Sequence, residues 1–148
     1  MDYVGALLIT DKNEIILQQR DKKRGIMNPG MVTTFGGLME EGETREEGLE
    51  RELQEELELK GIKYEFWRTF EKKESVHGED RRCHIYIVRE VDPQSIEVKE
   101  GMGFVTLSSI DDLSNYKPSV LAEEIVRDFF LEPGSNIECP YTPFRLID

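Results

Sequence analysis

The sequence has few of the residues that build disulfide frameworks, zinc sites or membrane spans. Its 148 residues include two cysteines, Cys83 and Cys139, whose separation matches neither a disulfide framework nor a zinc site. No segment approaches the roughly 18 consecutive apolar residues that predict a transmembrane helix. The first residues lack the basic segment of a secretory signal peptide. We therefore expect a cytoplasmic protein with no membrane partner.

Positive charge is also scarce in this chain. Lys and Arg total 19 against 31 Asp and Glu, which gives a formal net charge of −12. Proteins that bind nucleic acid without sequence preference use Lys and Arg to neutralise phosphates, so we expect no nucleic acid partner. A length of 148 residues with 38% hydrophobic residues suits a single domain, residues 1–148, around one core.

Glutamate is in excess, and it is concentrated in residues 40–59. Ten of these twenty residues are Glu, and Arg45 and Arg51 are the basic residues among them. Two carboxylates about 6 Å apart repel each other by roughly 3 kcal/mol at an effective dielectric constant near 20. The segment is therefore either fully solvated or lies beside a cation.

Helical periodicity favours the cation. Thr44 and Glu47 have the spacing of a capping box, which predicts a helix that begins at Thr44. One face of this helix is apolar and consists of Leu49, Leu53 and Leu57. The neighbouring face carries the carboxylates of Glu52, Glu55 and Glu56. Such oxygen ligands suit Mg²⁺ or Mn²⁺, and Mg²⁺ usually binds together with substrate phosphates. Spacing alone leaves a solvated acidic helix equally open, whereas two heptads are too few for a coiled coil.

Residues 37–59 resemble the Nudix box, G-x5-E-x7-R-E-U-x-E-E-x-G-U, in which U is a bulky aliphatic residue. The fixed positions are matched by Gly37, Glu43, Arg51, Glu52, Leu53, Glu55, Glu56 and Leu59. The departure is Glu58, where the family has Gly. Gly61 is then expected to close a slightly longer helix. The resemblance implies a MutT-like Nudix hydrolase domain, an α/β fold in which an α/β/α sandwich surrounds a mixed β-sheet.

The resemblance also implies roles for the residues of the box. Glu52 and Glu56 would be the main ligands of Mg²⁺, with Glu55 as a third ligand and the Gly37 carbonyl as a fourth; Mn²⁺ is a second possible cation. Arg51 would orient a carboxylate of the box or anchor its loop, and Glu43 would hold the loop against the helix. The general base is left open between Glu52 and a Glu outside the box. The catalytic candidates are Glu52, Glu55, Arg51 and Glu100. Rivals for the base are Glu74, Glu79, Asp80, His77 and His84.

Residues before the box predict where substrate phosphates bind. Arg20 ends a predicted strand that leads toward the box, and Arg suits bidentate phosphate contacts. Gly36 and Gly37 let the backbone approach a ligand closely. The expected substrate is a small nucleotide, either a nucleoside triphosphate or another nucleoside diphosphate derivative, cleaved by attack of water on phosphorus. A Nudix-derived module that binds a nucleotide without cleaving it stays open as the alternative, and so does a homodimer. Candidate stacking residues for the base are Phe35, Trp67 and Phe104.

Alternation and turn signals predict the remaining elements. Residues 3–10 and 14–19 form a hairpin, and residues 83–89 and 104–107 form further strands. A strand over residues 62–70 places Tyr64, Phe66 and Phe70 on one face. Residues 118–131 form a helix, which the resemblance places on the sheet face opposite the acidic helix.

Overall fold

A mixed β-sheet forms the middle of the molecule in the computed structural model, which describes residues 1–26, 28–59, 62–72, 80–99, 101–131 and 145–146. Its eight strands are β1 (Asp2–Ile9), β2 (Ile15–Gln19), β3 (Val32–Thr33), β4 (Phe35–Leu38), β5 (Glu65–Lys72), β6 (Arg81–Val88), β7 (Phe104–Leu107) and β8 (Arg145–Leu146). The order is β3-β2-β1-β6-β5-β8, while β4 pairs with β1 and β7 pairs with β2. Strands β1 and β6 are parallel, and the other strand pairings are antiparallel. The predicted hairpin of β1 and β2 is thus confirmed.

Two helices cover opposite faces of this sheet, because alternate residues of β1 point to opposite sides. Helix α1 spans Arg45–Leu57 and helix α2 spans Val120–Leu131. Val4, Ala6 and Leu8 of β1 pack in the same cluster as the leucines of α1. Leu7 and Ile9 of β1 pack in the cluster that contains Ala122, Ile125 and Val126 of α2. The predicted α/β/α sandwich is therefore confirmed. No helix in the described ranges is long and apolar enough to cross a membrane.

Helix α1 begins as its capping box predicts. The Glu47 backbone N–H donates to the Thr44 hydroxyl at 3.1 Å, and the Thr44 N–H donates to the Glu47 carboxylate at 3.3 Å. These bonds satisfy backbone donors that have no partner within the helix. The predicted apolar face is also confirmed, because Leu49, Leu53 and Leu57 are at most 1% exposed.

The end of α1 differs from the prediction. The helix stops at Leu57, and Glu58 itself takes the left-handed conformation with φ 55° and ψ 23°. The Glu58 N–H donates to the Gln54 carbonyl at 3.0 Å, which closes the last turn. The expectation of a longer helix was wrong because Glu58 takes over the conformation of the family's glycine. Gly61 lies outside the described residues.

Strand β5 also differs from the prediction, because it contains a β-bulge. Phe66 lies opposite Tyr86 whereas Arg68 lies opposite Ile85, so one residue of β5 has no counterpart in β6. A bulge of one residue exchanges the two faces of a strand. Phe66 accordingly packs edge-to-face against Tyr86 on the α1 side, with ring centroids 5.4 Å apart, while Phe70 belongs to the core on the α2 side. The prediction that the two share a face was wrong.

Helix α2 begins next to β3. The Val32 N–H donates to the Lys117 carbonyl at 2.8 Å, and the Ser119 N–H donates to the Val32 carbonyl at 2.9 Å. The Ser119 hydroxyl donates to the Thr33 hydroxyl at 3.1 Å and accepts from the Ala122 N–H at 3.2 Å. The helix therefore starts at Val120, two residues later than predicted, and its first turn is fixed over one end of the sheet.

Candidate active site

Arg51 links three carboxylates of the box. Its Nε and Nη2 atoms donate to the two oxygens of Glu43 at 2.6 and 2.9 Å. Its Nη1 donates to Glu52 at 2.9 Å and to Glu55 at 3.4 Å. Nη2 also donates to the Leu38 carbonyl at 3.2 Å. Arg51 therefore both orients carboxylates and ties the loop before α1 to the end of β4.

The pair formed by Arg51 and Glu43 is maintained over a wide pH range. Hydrogen bonds from Arg51 lower the pKa of the Glu43 carboxyl to about 2, and a second bond from the Glu40 N–H, at 2.7 Å, adds to this effect. The same contact with Glu43 raises the pKa of the Arg51 guanidinium. Both groups are therefore charged at neutral pH, and the loop between β4 and α1 stays attached to the helix.

Two glycines of β4 contact the carboxylates of α1. Glu56 is 2% exposed, and its Oε1 accepts a hydrogen bond from the Gly36 N–H at 2.9 Å. A Cβ atom at Gly37 would lie 2.6 Å from Oε1 of Glu52. At Gly36, where φ is 145°, a Cβ atom would lie 2.1 Å from the Val4 carbonyl oxygen of β1. A side chain at Gly36 would thus collide with the backbone of β1, and a side chain at Gly37 would collide with the Glu52 carboxylate.

The donor atoms here suit a hard divalent cation. Glu52, Glu55 and Glu56 offer carboxylate oxygens, and Gly37 offers a backbone carbonyl beside Glu52. Within the described ranges, however, no three Asp, Glu, His or Cys side chains converge closely enough to hold a metal ion. Glu52 and Glu55 are instead hydrogen-bonded to Arg51. The residues therefore fit a cation by the chemistry of their donors, while their side chains are oriented by Arg51.

A cavity of about 390 Å³ lies between the sheet and the first turn of α2, and we call it the sheet–α2 cavity. The three residues predicted to bind substrate, Arg20, Gly36 and Gly37, all line it. Neighbouring polar lining residues are Gln18, Asn28, Thr33, Thr34 and Ser119. Gly37 thus borders the cavity and also contacts the Glu52 carboxylate, which connects the acidic face of α1 to a space of substrate size.

The predicted stacking residues lie elsewhere. Phe35 is fully buried in the core on the α1 side, and Phe104 packs against the same core. Trp67 packs on Phe70 and Phe129. None of the three predicted residues lines the sheet–α2 cavity. These three aromatic side chains serve packing instead.

The cavity also contains two basic residues that sequence reasoning missed, Lys72 and Arg81. A signal for both was available. Lys72 follows the core residue Phe70 by two positions in β5, and Arg81 precedes the core residue Cys83 by two positions in β6. Residues two apart in a strand share a face, so both cations point to the α2 side.

Among the candidates for the general base, the structure describes His84 but not Glu100. His84 is 2% exposed, and its Nδ1 and Nε2 atoms each lie 2.8 Å from a partner, Thr69 Oγ1 and Asp2 Oδ1 respectively. Burial lowers the pKa of His84. His84 therefore has a packing role and does not line the cavity. Glu100 lies outside the described residues, as do Glu74, Glu79 and His77.

The residues next to position 100 are anchored near the candidate site. The Lys99 N–H donates to the Glu56 carbonyl at the end of α1, at 2.9 Å. The Met102 N–H donates to the Gln19 carbonyl at the end of β2, also at 2.9 Å. Lys99 is thus bonded to one end of α1, and Met102 is bonded to the strand that leads to Arg20.

Comparison with known proteins agrees with this arrangement. The family model of the NUDIX domain matches residues 1–125. No curated protein matches the sequence. The fold is similar to that of the MutT protein from Methanosarcina mazei Go1, with a TM-score of 0.71, 17% identity, and coverage of 87% of this chain and 91% of that chain.

Two further solved structures show the same fold. The dihydroneopterin triphosphate pyrophosphohydrolase of E. coli has a TM-score of 0.70 and 16% identity, over 89% of this chain and 96% of that chain. The NUDIX domain of Shewanella oneidensis NrtR, in complex with ADP ribose, has a TM-score of 0.67 and 16% identity, over 86% of this chain and 84% of that chain. The family match spans most of the described sheet, both faces of its core and the whole box. The chain therefore belongs to the Nudix family.

Proposed function

We propose that this protein uses a divalent cation, Mg²⁺ or Mn²⁺, to hydrolyse a phosphoanhydride bond in a nucleoside triphosphate or another nucleoside diphosphate derivative. The observation that supports this most is the position of Gly37, between the Glu52 carboxylate and a cavity that Arg20 also lines. Hydrolysis of an anhydride requires that the phosphates meet cationic charge, and the two sides of Gly37 supply a cation site and a basic side chain. Residues 1–148 act as one cytoplasmic domain in this proposal.

The cation would be held by Glu52 and Glu56, with Glu55 and the Gly37 carbonyl as further ligands. When bound, such a cation neutralises phosphate oxygens and lowers the pKa of a coordinated water molecule. Glu56 is the most rigid of the carboxylates, because it is buried and accepts the Gly36 N–H. Glu55 is the most adaptable, since its side chain is 55% exposed.

The remaining roles follow from the contacts of each side chain. Arg51 orients Glu52 and Glu55, which would otherwise repel each other. Arg20 donates to a substrate phosphate, and the absence of side chains at Gly36 and Gly37 lets that phosphate approach the backbone. The proton of the attacking water is taken by Glu52 or by Glu100.

The test compares two glutamates of α1 that differ in position. Glu56→Gln removes the charge of a buried carboxylate but keeps an oxygen that can accept the Gly36 N–H. Glu47→Gln removes the same charge from an exposed residue. The amide oxygen of Gln can still accept the capping hydrogen bond from the Thr44 N–H. We would screen nucleotides with millimolar Mg²⁺, measure released phosphate or pyrophosphate, and then compare the turnover of both variants.

Turnover should be abolished in Glu56→Gln and nearly unchanged in Glu47→Gln. The apparent stability should also depend on the cation, since a cation at 100 times its dissociation constant adds about 2.7 kcal/mol to the free energy of unfolding. Equal turnover in the two variants, or melting temperatures that are identical with EDTA and with Mg²⁺, would contradict the proposal. Tight nucleotide binding without turnover would favour the alternative, a module that binds nucleotides without cleaving them.

A further inference from the structure

Two glycines lie side by side in the floor of the sheet–α2 cavity. Gly5 of β1 is directly opposite Gly36 of β4, and on its other side it is paired with Ile85 of β6. All three residues line the cavity. Because the two glycines have no side chains, a ligand can contact the backbone of the sheet here. We call the space over Gly5 the Gly5 recess.

The Gly5 recess has one apolar wall and one polar wall. A Cβ atom at Gly5 would lie 3.1 Å from Cδ1 of Ile85 and 3.4 Å from Oγ1 of Thr34. Thr34 also lines the cavity, and its hydroxyl group can both donate and accept a hydrogen bond. Because the floor between these walls is bare backbone, the recess suits a flat group that has apolar faces and a polar edge.

The cavity also exposes aliphatic side chains that a ligand would cover. Leu38 is 46% exposed and Val120, in the first turn of α2, is 49% exposed, and both line the cavity. Burial of such surface favours binding. Tyr3 is the one aromatic residue among the described residues of the lining, and it lies two positions before Gly5 on the same face of β1. Its ring therefore lies beside the recess, so backbone and aliphatic groups would contact the faces of a bound ring.

The recess lies at a suitable distance from the candidate cation site. The proposed function places a substrate phosphate at Gly36 and Gly37. Gly5 is one strand spacing of about 4.8 Å from Gly36, and Ile85 is two such spacings away. In a nucleotide, the ribose separates the base from the phosphate by a gap of this size. A nucleotide can therefore place its phosphate at Gly36 and Gly37 and its base in the recess.

We propose that the Gly5 recess binds the base of the nucleotide, and that the absence of a side chain at Gly5 determines whether a base fits. A nucleobase has flat apolar faces and polar edges, which match the backbone floor, the aliphatic side chains and the Thr34 hydroxyl. The base then contributes to affinity, so the substrates are nucleotides and not polyphosphates that lack a base. This inference rests on the proposed function, because the position of the phosphate is taken from it.

The test compares nucleoside monophosphates with ribose 5-phosphate, which lacks the base. AMP, GMP, CMP and UMP contain no anhydride to cleave, so calorimetry can measure their affinities with Mg²⁺ present. The first variant is Gly5→Ala, whose added Cβ occupies the recess. The second is Gly5→Ala/Ile85→Val, which removes the Cδ1 atom that the new Cβ meets and so keeps the methyl group without the collision. The control is Ile85→Val alone, which enlarges the recess.

We expect the wild type to bind at least one nucleoside monophosphate about tenfold or more tightly than ribose 5-phosphate. Both Gly5 variants should bring this ratio close to one, since an extra methyl group in a fitted pocket changes affinity by about tenfold or more. Their affinity for ribose 5-phosphate should stay the same, and Ile85→Val should keep or increase the ratio. A ratio near one in the wild type, or a ratio that the double variant retains, would overturn the inference.

The same measurement separates this inference from the proposed function, because monophosphate binding does not depend on turnover. A preference for a base that is lost in both Gly5 variants supports the recess even if no nucleotide is hydrolysed. Hydrolysis of a nucleoside triphosphate by a wild type whose ratio is near one removes the recess and leaves the hydrolase intact. If both hold, the Gly5 variants should raise KM for that triphosphate more than they lower kcat, because the recess binds the base and not the reacting phosphates.

Discussion

The left-handed backbone at Glu58 allows a quantitative test of how helix α1 ends. A residue with a Cβ atom in this conformation costs roughly 1–2 kcal/mol, whereas Gly adopts it freely. Gly also makes the unfolded chain more flexible, and this entropy reduces the gain in stability by about 0.5–1 kcal/mol. At φ 55° and ψ 23°, Glu58→Gly should therefore raise the free energy of unfolding by about 0.5–1 kcal/mol through the backbone.

The side chain of Glu58 has an opposing contribution. It forms an ion pair with Lys99, and the two side chains are 50% and 42% exposed. Exposed pairs contribute about 0–1 kcal/mol. Glu58→Gln removes the ion pair but keeps the left-handed backbone, so it should be neutral or slightly destabilising. The difference between the Gly and Gln variants then isolates the backbone effect.

Urea denaturation of the wild type and both variants measures this difference, provided that the slope of the free energy of unfolding against urea concentration is the same in all three. The free energy of unfolding of the Gly variant should exceed that of the Gln variant by about 0.5–1 kcal/mol, and its melting temperature should be higher by roughly 1–4 °C. A Gly variant that is less stable than the Gln variant would refute the reasoning, because residue 58 would then not be held in the left-handed region.

Three further outcomes follow from the geometry of the site. Because Glu43 has a folded-state pKa of about 2, below its ordinary value of 4.5, its stabilisation is complete above pH 4.5 and is lost as the pH falls toward 2; the urea midpoint should drop more over this window in the wild type than in Glu43→Gln. Gly37→Ala should fold but lose most turnover, because the added Cβ displaces the Glu52 carboxylate. Gly36→Ala should instead lower the melting temperature, because the added Cβ collides with the backbone of β1. The thiol of Cys83 should resist alkylation at pH 8 in a variant that lacks the other cysteine, since burial raises its pKa to about 12.

The parts of the fold that sequence predicted are those in which local rules and core packing agree. The capping box at Thr44 and the leucine stripe from Leu49 depend on spacings of three and four residues along a helix, and both are confirmed. The contact of Arg51 with Glu55 follows in the same way, because residues four apart on a helix are neighbours. The network that the structure shows around Arg51 extends this to Glu43, eight residues earlier, which only the loop geometry determines.

The parts that sequence did not predict depend on contacts between distant segments. The bulge in β5 exchanges the faces of Phe66 and Phe70, and no local signal marks it in the run 65–72. The end of α1 at Glu58 coincides with an ion pair to Lys99, forty-one positions later in the chain. The cavity likewise needs β4, β6 and the first turn of α2 together, so its lining could not be read from any one segment.

The glycines of β4 explain how one protein combines an acidic helix with a basic cavity. The carboxylates of α1 and the cations of the cavity lie on opposite faces of the sheet, and a side chain on the strand between them would separate the two. At Gly36 the backbone N–H reaches the Glu56 carboxylate on one face while the residue lines the cavity on the other. Gly37 contacts Glu52 and borders the cavity in the same way. A phosphate bound at these residues would therefore lie beside the carboxylates of α1 and in the cavity that Arg20 also lines, which a strand with larger side chains at the same positions would not permit.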